Sequence, residues 1–123
     1  MITGKKNVRC GLIGARLSHS FSPQIHGELA DYSYSLFEMP ECDIESFLKS
    51  GNFDALNVTI PHKKAVMPYL DEISDEATRI GSVNTIIRTP SGALRGENTD
   101  HYGFMHALKT ANISVKGKKV LIL

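Results

Sequence analysis

Three short apolar runs, residues 8–13 (VRCGLI), 32–39 (YSYSLFEM) and 53–60 (FDALNVTI), are kept apart by stretches that each carry a helix signal. No tight hairpin turn can join runs separated in this way. Strands linked through helices come back pointing the same way, so the chain is driven towards a parallel sheet. Gly14, Pro40 and Pro61 close the three runs. In the first gap, Ser22 before Pro23 marks a helix start, with Ile25, His26 and Leu29 on one face and an end near Asp31. In the second gap, residues 43–49 read as a helix capped by Asp43 and stopped by Gly51.

The rest of the chain adds one change of direction. Residues 62–73 place Val66, Met67, Leu70 and Ile73 at helical spacing, with Pro68 at a turn or kink. A short helix follows over 75–80, ended by Gly81. Residues 83–88 and 93–97 are two strands around Thr89-Pro90-Ser91-Gly92, a hairpin signal. Thr99 or Asp100 is then expected to cap a helix carrying Phe104, Leu108 and Ala111. Residues 115–123 (VKGKKVLIL) look like the lead-in to a further parallel strand. The expected fold class is therefore α/β: a mostly parallel mixed sheet with helices on both faces and one antiparallel member.

Several functions are excluded at this stage. A chain of 123 residues is one ordinary domain. Its net charge of +1 and lack of any long basic run argue against a nucleic-acid partner. No apolar stretch approaches membrane-spanning length, so no membrane association is expected. Cys10 and Cys42 stand in neither a metal nor a redox spacing, which fits a reducing, cytoplasmic setting. The five histidines are scattered, and no metal site is expected. Gly11-Leu12-Ile13-Gly14-Ala15 follows an apolar run but lacks G-x-G-x-x-G spacing, so no cofactor-binding residue is assigned within this chain.

Open α/β sheets bind ligands outside the carboxyl ends of their strands. Three polar stretches fall there: Ser18-His19-Ser20, residues 57–63, and residues 97–100. In an extended segment Ser18 and Ser20 share a face and can offer two hydroxyls to a carboxylate or polyol, unless they merely cap the next helix. Asn57 and Thr59 share a face by the same period of two. Lys63, beyond Pro61, is either surface decoration or an acid–base group turned into the same cleft. Asp100 is either a helix cap or a carboxylate that grips a ligand hydroxyl and holds Lys63. Asn84 adds an amide. Such a set suits a polyhydroxylated carboxylic acid.

Four segments, in this order, closely resemble the substrate-binding domain of shikimate dehydrogenases. They are Ser18-His19-Ser20-Phe21-Ser22-Pro23 with His26, Asn57-Val58-Thr59-Ile60-Pro61 with Lys63, Gly81-Ser82-Val83-Asn84-Thr85, and Gly96-Glu97-Asn98-Thr99-Asp100 with Gly103-Phe104. The resemblance covers roughly residues 8–123. It implies that Ser18, Ser20, Asn57, Thr59, Lys63, Asn84 and Asp100 line a site for shikimate or 3-dehydroshikimate, with Lys63 and Asp100 as the catalytic pair. It also implies NADP as the cofactor of the parent enzyme, held by a Rossmann domain that follows. Residues 1–117 are then the substrate-binding domain and 118–123 the start of the cofactor domain. On this reading the 123-residue chain folds but turns over no shikimate by itself. A quinate/shikimate dehydrogenase and a stand-alone small-molecule binding module are the alternatives. Two positions depart from the family pattern: Arg16 where proline is frequent, and Gly27 where asparagine is common.

Overall fold

The structure, a computed structural model, describes residues 7–123. The elements follow in the order β1 (Arg9–Gly14), α1 (Ser22–Leu29), β2 (Ser33–Glu38), α2 (Ile44–Ser50), β3 (Ala55–Val58), β4 (Glu72–Ile73), α3 (Asp75–Ile80), β5 (Thr85–Arg88), β6 (Leu94–Glu97) and α4 (Thr99–Thr110). They build one six-stranded sheet in the order β2-β1-β3-β5-β6-β4. β1 pairs in parallel with both β2 and β3, and β4 pairs in parallel with β6. Only β5 runs against its neighbours, because the β5–β6 hairpin reverses the chain once. The expected mixed, mostly parallel sheet is the one observed.

Register decides which side chains meet. Ile13 lies beside Val58, and Leu56 beside Ile86, so these share one face with Leu94 of β6. Onto that face pack Ile44 and Leu48 of α2, Ala77 of α3, and Phe53, Val66 and Val83 from the connections; all are buried. Phe37, Phe47 and Phe53 form an aromatic row across it, with centroid separations of 4.8 and 5.9 Å. The opposite face carries Tyr34, Leu12, Asn57 and Thr85, and α1 covers part of it by stacking His26 on Tyr34. Helices therefore lie on both faces, but unequally.

Gly51 and Gly81 end α2 and α3 at φ values of 70° and 71°, a conformation that glycine adopts without a Cβ penalty. Gly96 is needed for a different reason. A Cβ there would sit 2.5 Å from Leu70 Cδ1 and 2.9 Å from Val83 Cγ2. Val83 is fully buried and has no room to yield. Gly96→Ala is expected to lower unfolding free energy by about 1–3 kcal/mol through overpacking. A urea unfolding curve superimposable on that of the wild type would refute this close approach.

Several local expectations are corrected. Residues 62–73 form no α-helix; a 3-10 turn at Met67–Tyr69 and the short strand β4 stand there instead. Pro68 supplies no main-chain N–H, and the run is too short to form a helix around it. The helical spacing was nonetheless a true burial signal, since Val66 is buried and Met67, Leu70 and Ile73 pack against the core. Asn98, not Thr99 or Asp100, caps α4, accepting from His101 N at 3.1 Å. Ser22 makes no side-chain cap bond in α1, and Asp43 makes none in α2, which a 3-10 turn precedes. No residue of α1 or α4 is buried: Ile25, Leu29 and Phe104 are exposed, and Leu108 is half-buried. Residues 118–123 form no strand and are exposed. Among the described residues, no helix is long and apolar enough to cross a membrane.

Candidate functional site

Four strand ends converge on one edge of the sheet. β1 and β3 terminate there side by side, and their ladder runs on through the bond from Thr59 N to Ile13 O at 3.0 Å. Because β5 is antiparallel, its beginning lies at the same edge. Val58 N donates to Asn84 O at 2.8 Å, and Asn84 N donates to Glu97 O, at the end of β6, at 3.0 Å. The polar segments that follow or precede these strands are thus brought together by hydrogen-bonded register. They surround a cleft of about 690 Å³.

Every residue expected at the site lines this cleft: Ser18, Ser20, Asn57, Thr59, Lys63, Asn84 and Asp100. Buried Leu17 anchors the loop after β1, and a turn bond from Ser20 N to Leu17 O at 2.9 Å bends the serines over the cleft. Ser20 Oγ also accepts from Ser22 N at 3.2 Å. Asn57 and Thr59 do share a face, while Val58 between them enters the core.

Lys63 is held by its own backbone. The chain turns at the cis Ile60–Pro61 peptide, and His62 N donates to Thr59 O at 2.9 Å. Next to it, the buried His62 ring bonds the Met39 carbonyl through Nε2 at 2.8 Å, and Val83 N donates to Lys63 O at 2.9 Å. From this position Lys63 Nζ donates to Asp100 Oδ2 at 2.5 Å. Lys63 is mostly shielded, and the Asp100 side chain is open to solvent. Lys64, by contrast, is exposed and outside the cleft.

Asp100 owes its place to two asparagines. Asn98 caps α4 and donates through Nδ2 to Ser82 O at 2.9 Å. Asn84, itself buried, accepts from Thr99 N at 2.8 Å and donates through Nδ2 to the Thr99 hydroxyl at 3.0 Å. The first turn of α4 is thereby fastened to the start of β5.

Arg16, His19 and Ser22 also line the cleft; His19 lies in a polar stretch expected at the strand ends, but none of the three was given a binding role. Ser22 was read as a helix cap; the turn at residues 17–20 and the bond from Ser22 N to Ser20 Oγ put the start of α1 beside the cleft instead. Arg16 stood out only as a departure from the family pattern. Tyr34, behind Asn57, was read simply as a strand residue. Burial pushes its phenol up to about 12, against an opposing hydrogen-bond contribution from the Ser22 hydroxyl. The phenol therefore keeps its proton at neutral pH.

A cationic amine on a carboxylate, ringed by hydroxyls and amides, is the arrangement the four motifs implied. Residues 12–86 match the family described as the shikimate dehydrogenase substrate binding domain. The chain belongs to that family. This substrate-binding domain is 44% identical over 121 residues to the NADP(+) shikimate dehydrogenase of Carboxydothermus hydrogenoformans, covering 92% of this chain and 43% of the relative. It is similar in structure to the shikimate 5-dehydrogenase of Thermus thermophilus in complex with shikimate, with a TM-score of 0.79 and 37% identity over 89% of this chain and 45% of that one. A quinate dehydrogenase from Corynebacterium glutamicum in complex with NAD gives a TM-score of 0.74 at 31% identity, over 85% and 42% of the two chains. The domain spans less than half the length of the curated relatives it matches.

Proposed function

We propose that this domain binds shikimate and 3-dehydroshikimate for an NADP-dependent shikimate dehydrogenase that interconverts them. The observation that carries this reading is the Lys63–Asp100 pair, 2.5 Å apart, in a cleft that also presents the hydroxyls of Ser18, Ser20 and Thr59 and the amides of Asn57 and Asn84. Ser18, Ser20 and Thr59 offer hydroxyl donors to the ligand carboxylate, and the Arg16 cation also lines the cleft. Asn57, Asn84 and Asp100 face the ring hydroxyls. A polyhydroxylated carboxylate suits a site that offers cations, hydroxyls and a carboxylate.

In reducing a ketone, hydride reaches carbon while charge grows on oxygen, and a donor must supply a proton to that oxygen. Lys63 is that donor, and Asp100 orients its ammonium group while accepting from a neighbouring ring hydroxyl. A nicotinamide cofactor supplies the hydride in this class of reaction. β1 leads through a loop into α1 without a G-x-G-x-x-G turn, and no residue of this chain is assigned to the cofactor phosphates. Only the acid–base half of the reaction is therefore derived from this chain. We assign residues 1–117 to the substrate domain and 118–123 to the approach to a cofactor domain. Two unpaired cysteines, Cys10 half-buried and Cys42 exposed, are in keeping with a cytoplasmic setting.

Titrating shikimate into the 15N-labelled chain is expected to shift the amide signals of Ser20, Thr59, Lys63 and Asp100 in a saturable way. Quinate serves as the counter-probe. Absence of saturable shifts with shikimate, or tighter binding of quinate, would overturn the assignment.

A further inference from the structure

Four ionisable side chains line the cleft: Arg16, His19, Lys63 and Asp100. Two of them cancel. Lys63 and Asp100 are joined as an ion pair, so from a distance they act as a dipole and not as a net charge. Arg16 is different. It is exposed, and its side chain makes no ion pair or hydrogen bond among the described residues. A guanidinium keeps its proton in a protein at any working pH. Whenever the His19 imidazole is neutral, the net charge of the cleft-lining side chains is therefore positive and comes from Arg16.

The fold accounts for this placement. Arg16 stands two residues beyond the end of β1, and its neighbour Leu17 is buried, which pins the loop and leaves the arginine at the surface of the cleft. Leu12, Leu17 and Val58 contribute apolar wall to the same cleft. An exposed cation forms only a weak ion pair in open water, but walls of low dielectric constant focus its field on whatever enters between them.

We propose that Arg16 is a specificity-determining residue: its unpaired charge makes the cleft select a small carboxylate over a neutral molecule of the same shape. Lys63 is unsuited to this task, because its charge is already met by Asp100. The hydroxyls and amides of the cleft read the ring, and Arg16 reads the charge. This rests on the shikimate-site reading above for the identity of the ligand.

The test compares shikimate with its methyl ester, which keeps the ring hydroxyls and lacks the charge. Both are titrated into the 15N-labelled chain at about pH 8, where an ordinary imidazole is uncharged. At low ionic strength Arg16→Gln is expected to weaken shikimate binding by about 2–5-fold, the range of an exposed ion pair, and to leave the ester unaffected. Arg16→Lys should keep most of the preference for the acid. Salt at about 0.5 M shortens the screening length to about 4 Å and should bring wild type and Arg16→Gln together. Equal losses for acid and ester would mean that Arg16 acts through packing, and would overturn the proposal. So would an unchanged affinity for shikimate, a loss that salt does not reduce, or a loss in Arg16→Lys as large as that in Arg16→Gln. These results leave the shikimate reading standing. Wild-type protein that binds neither compound in a saturable way removes that reading, and the selection by Arg16 falls with it.

Discussion

Lys63→Ala, introduced into a full-length dehydrogenase carrying this domain, is expected to cut shikimate turnover by about 10²–10⁴-fold, the usual contribution of a general acid or base. Alanine removes the amine that sits 2.5 Å from Asp100 but leaves the turn that carries it, since Val83 N still donates to the residue-63 carbonyl. The loss should therefore appear in kcat far more than in substrate binding, because Ser18, Ser20, Thr59 and Asn57 remain around the ligand. Lys64→Ala is the matched control. Its side chain is exposed and outside the cleft, so near-wild-type rates are expected. Near-normal turnover in Lys63→Ala, or a larger loss in Lys64→Ala, would reject Lys63 as the proton donor.

The contrast between those neighbours illustrates what a linear reading can and cannot reach. That Lys63 and Asp100 might meet followed from topology: parallel strands put their ends on one edge, and polar segments after those ends must cluster there. The period of two likewise separated Asn57 and Thr59 from buried Val58. Residues 62–73 show where such reasoning fails. Their apolar spacing reports burial, and a turn, a 3-10 segment and a strand satisfy it as well as a helix does. Opposite errors occurred in α1 and α4, where Ile25, Leu29 and Phe104 have helical spacing yet remain exposed. Hydrophobic period identifies a face that wants cover, and the structure shows whether these residues provide it.

Capping signals misled for a related reason. Ser22, Asp43, Thr99 and Asp100 are all good cap types, yet none makes a side-chain cap bond, although Asp43 does stand at the N-cap of α2. A residue type that favours capping caps only where the fold puts it at the helix start with its side chain turned to the free amides. Ser22 lines the cleft, Asp100 is engaged by Lys63, and the cap of α4 falls to Asn98, whose amide also bonds the Ser82 carbonyl. Tyr34 was invisible as a neighbour of Asn57 because the hydrogen bond between their side chains crosses an intervening strand, a relation that exists only once β2, β1 and β3 are laid in register.

Asn84→Ala should damage fold and site together. Asn84 is buried and satisfies the Thr99 main-chain N–H at 2.8 Å, one of the helix-start amides that no intrahelical carbonyl can reach. It also accepts from the Thr85 hydroxyl at 3.1 Å. Alanine offers none of these contacts, and losing a hydrogen bond to a part-buried helix-start amide costs about 0.5–1.5 kcal/mol, so the urea midpoint should fall accordingly. The second consequence concerns Asp100, the residue after Thr99 in the same helical turn. Once that turn is unfastened from β5, the carboxylate is no longer held opposite Lys63. A hydrogen bond to a charged group contributes about 1.5–3 kcal/mol, so shikimate affinity should drop by roughly tenfold or more if Asp100 grips a ring hydroxyl as proposed. Thr99→Val provides the discriminating control. It deletes the hydroxyl but keeps the main-chain bond to Asn84, so most of both stability and affinity should survive. Loss of stability with shikimate affinity intact would show that Asn84 fastens the helix without setting Asp100. An unfolding curve unchanged from wild type would show that it fastens nothing.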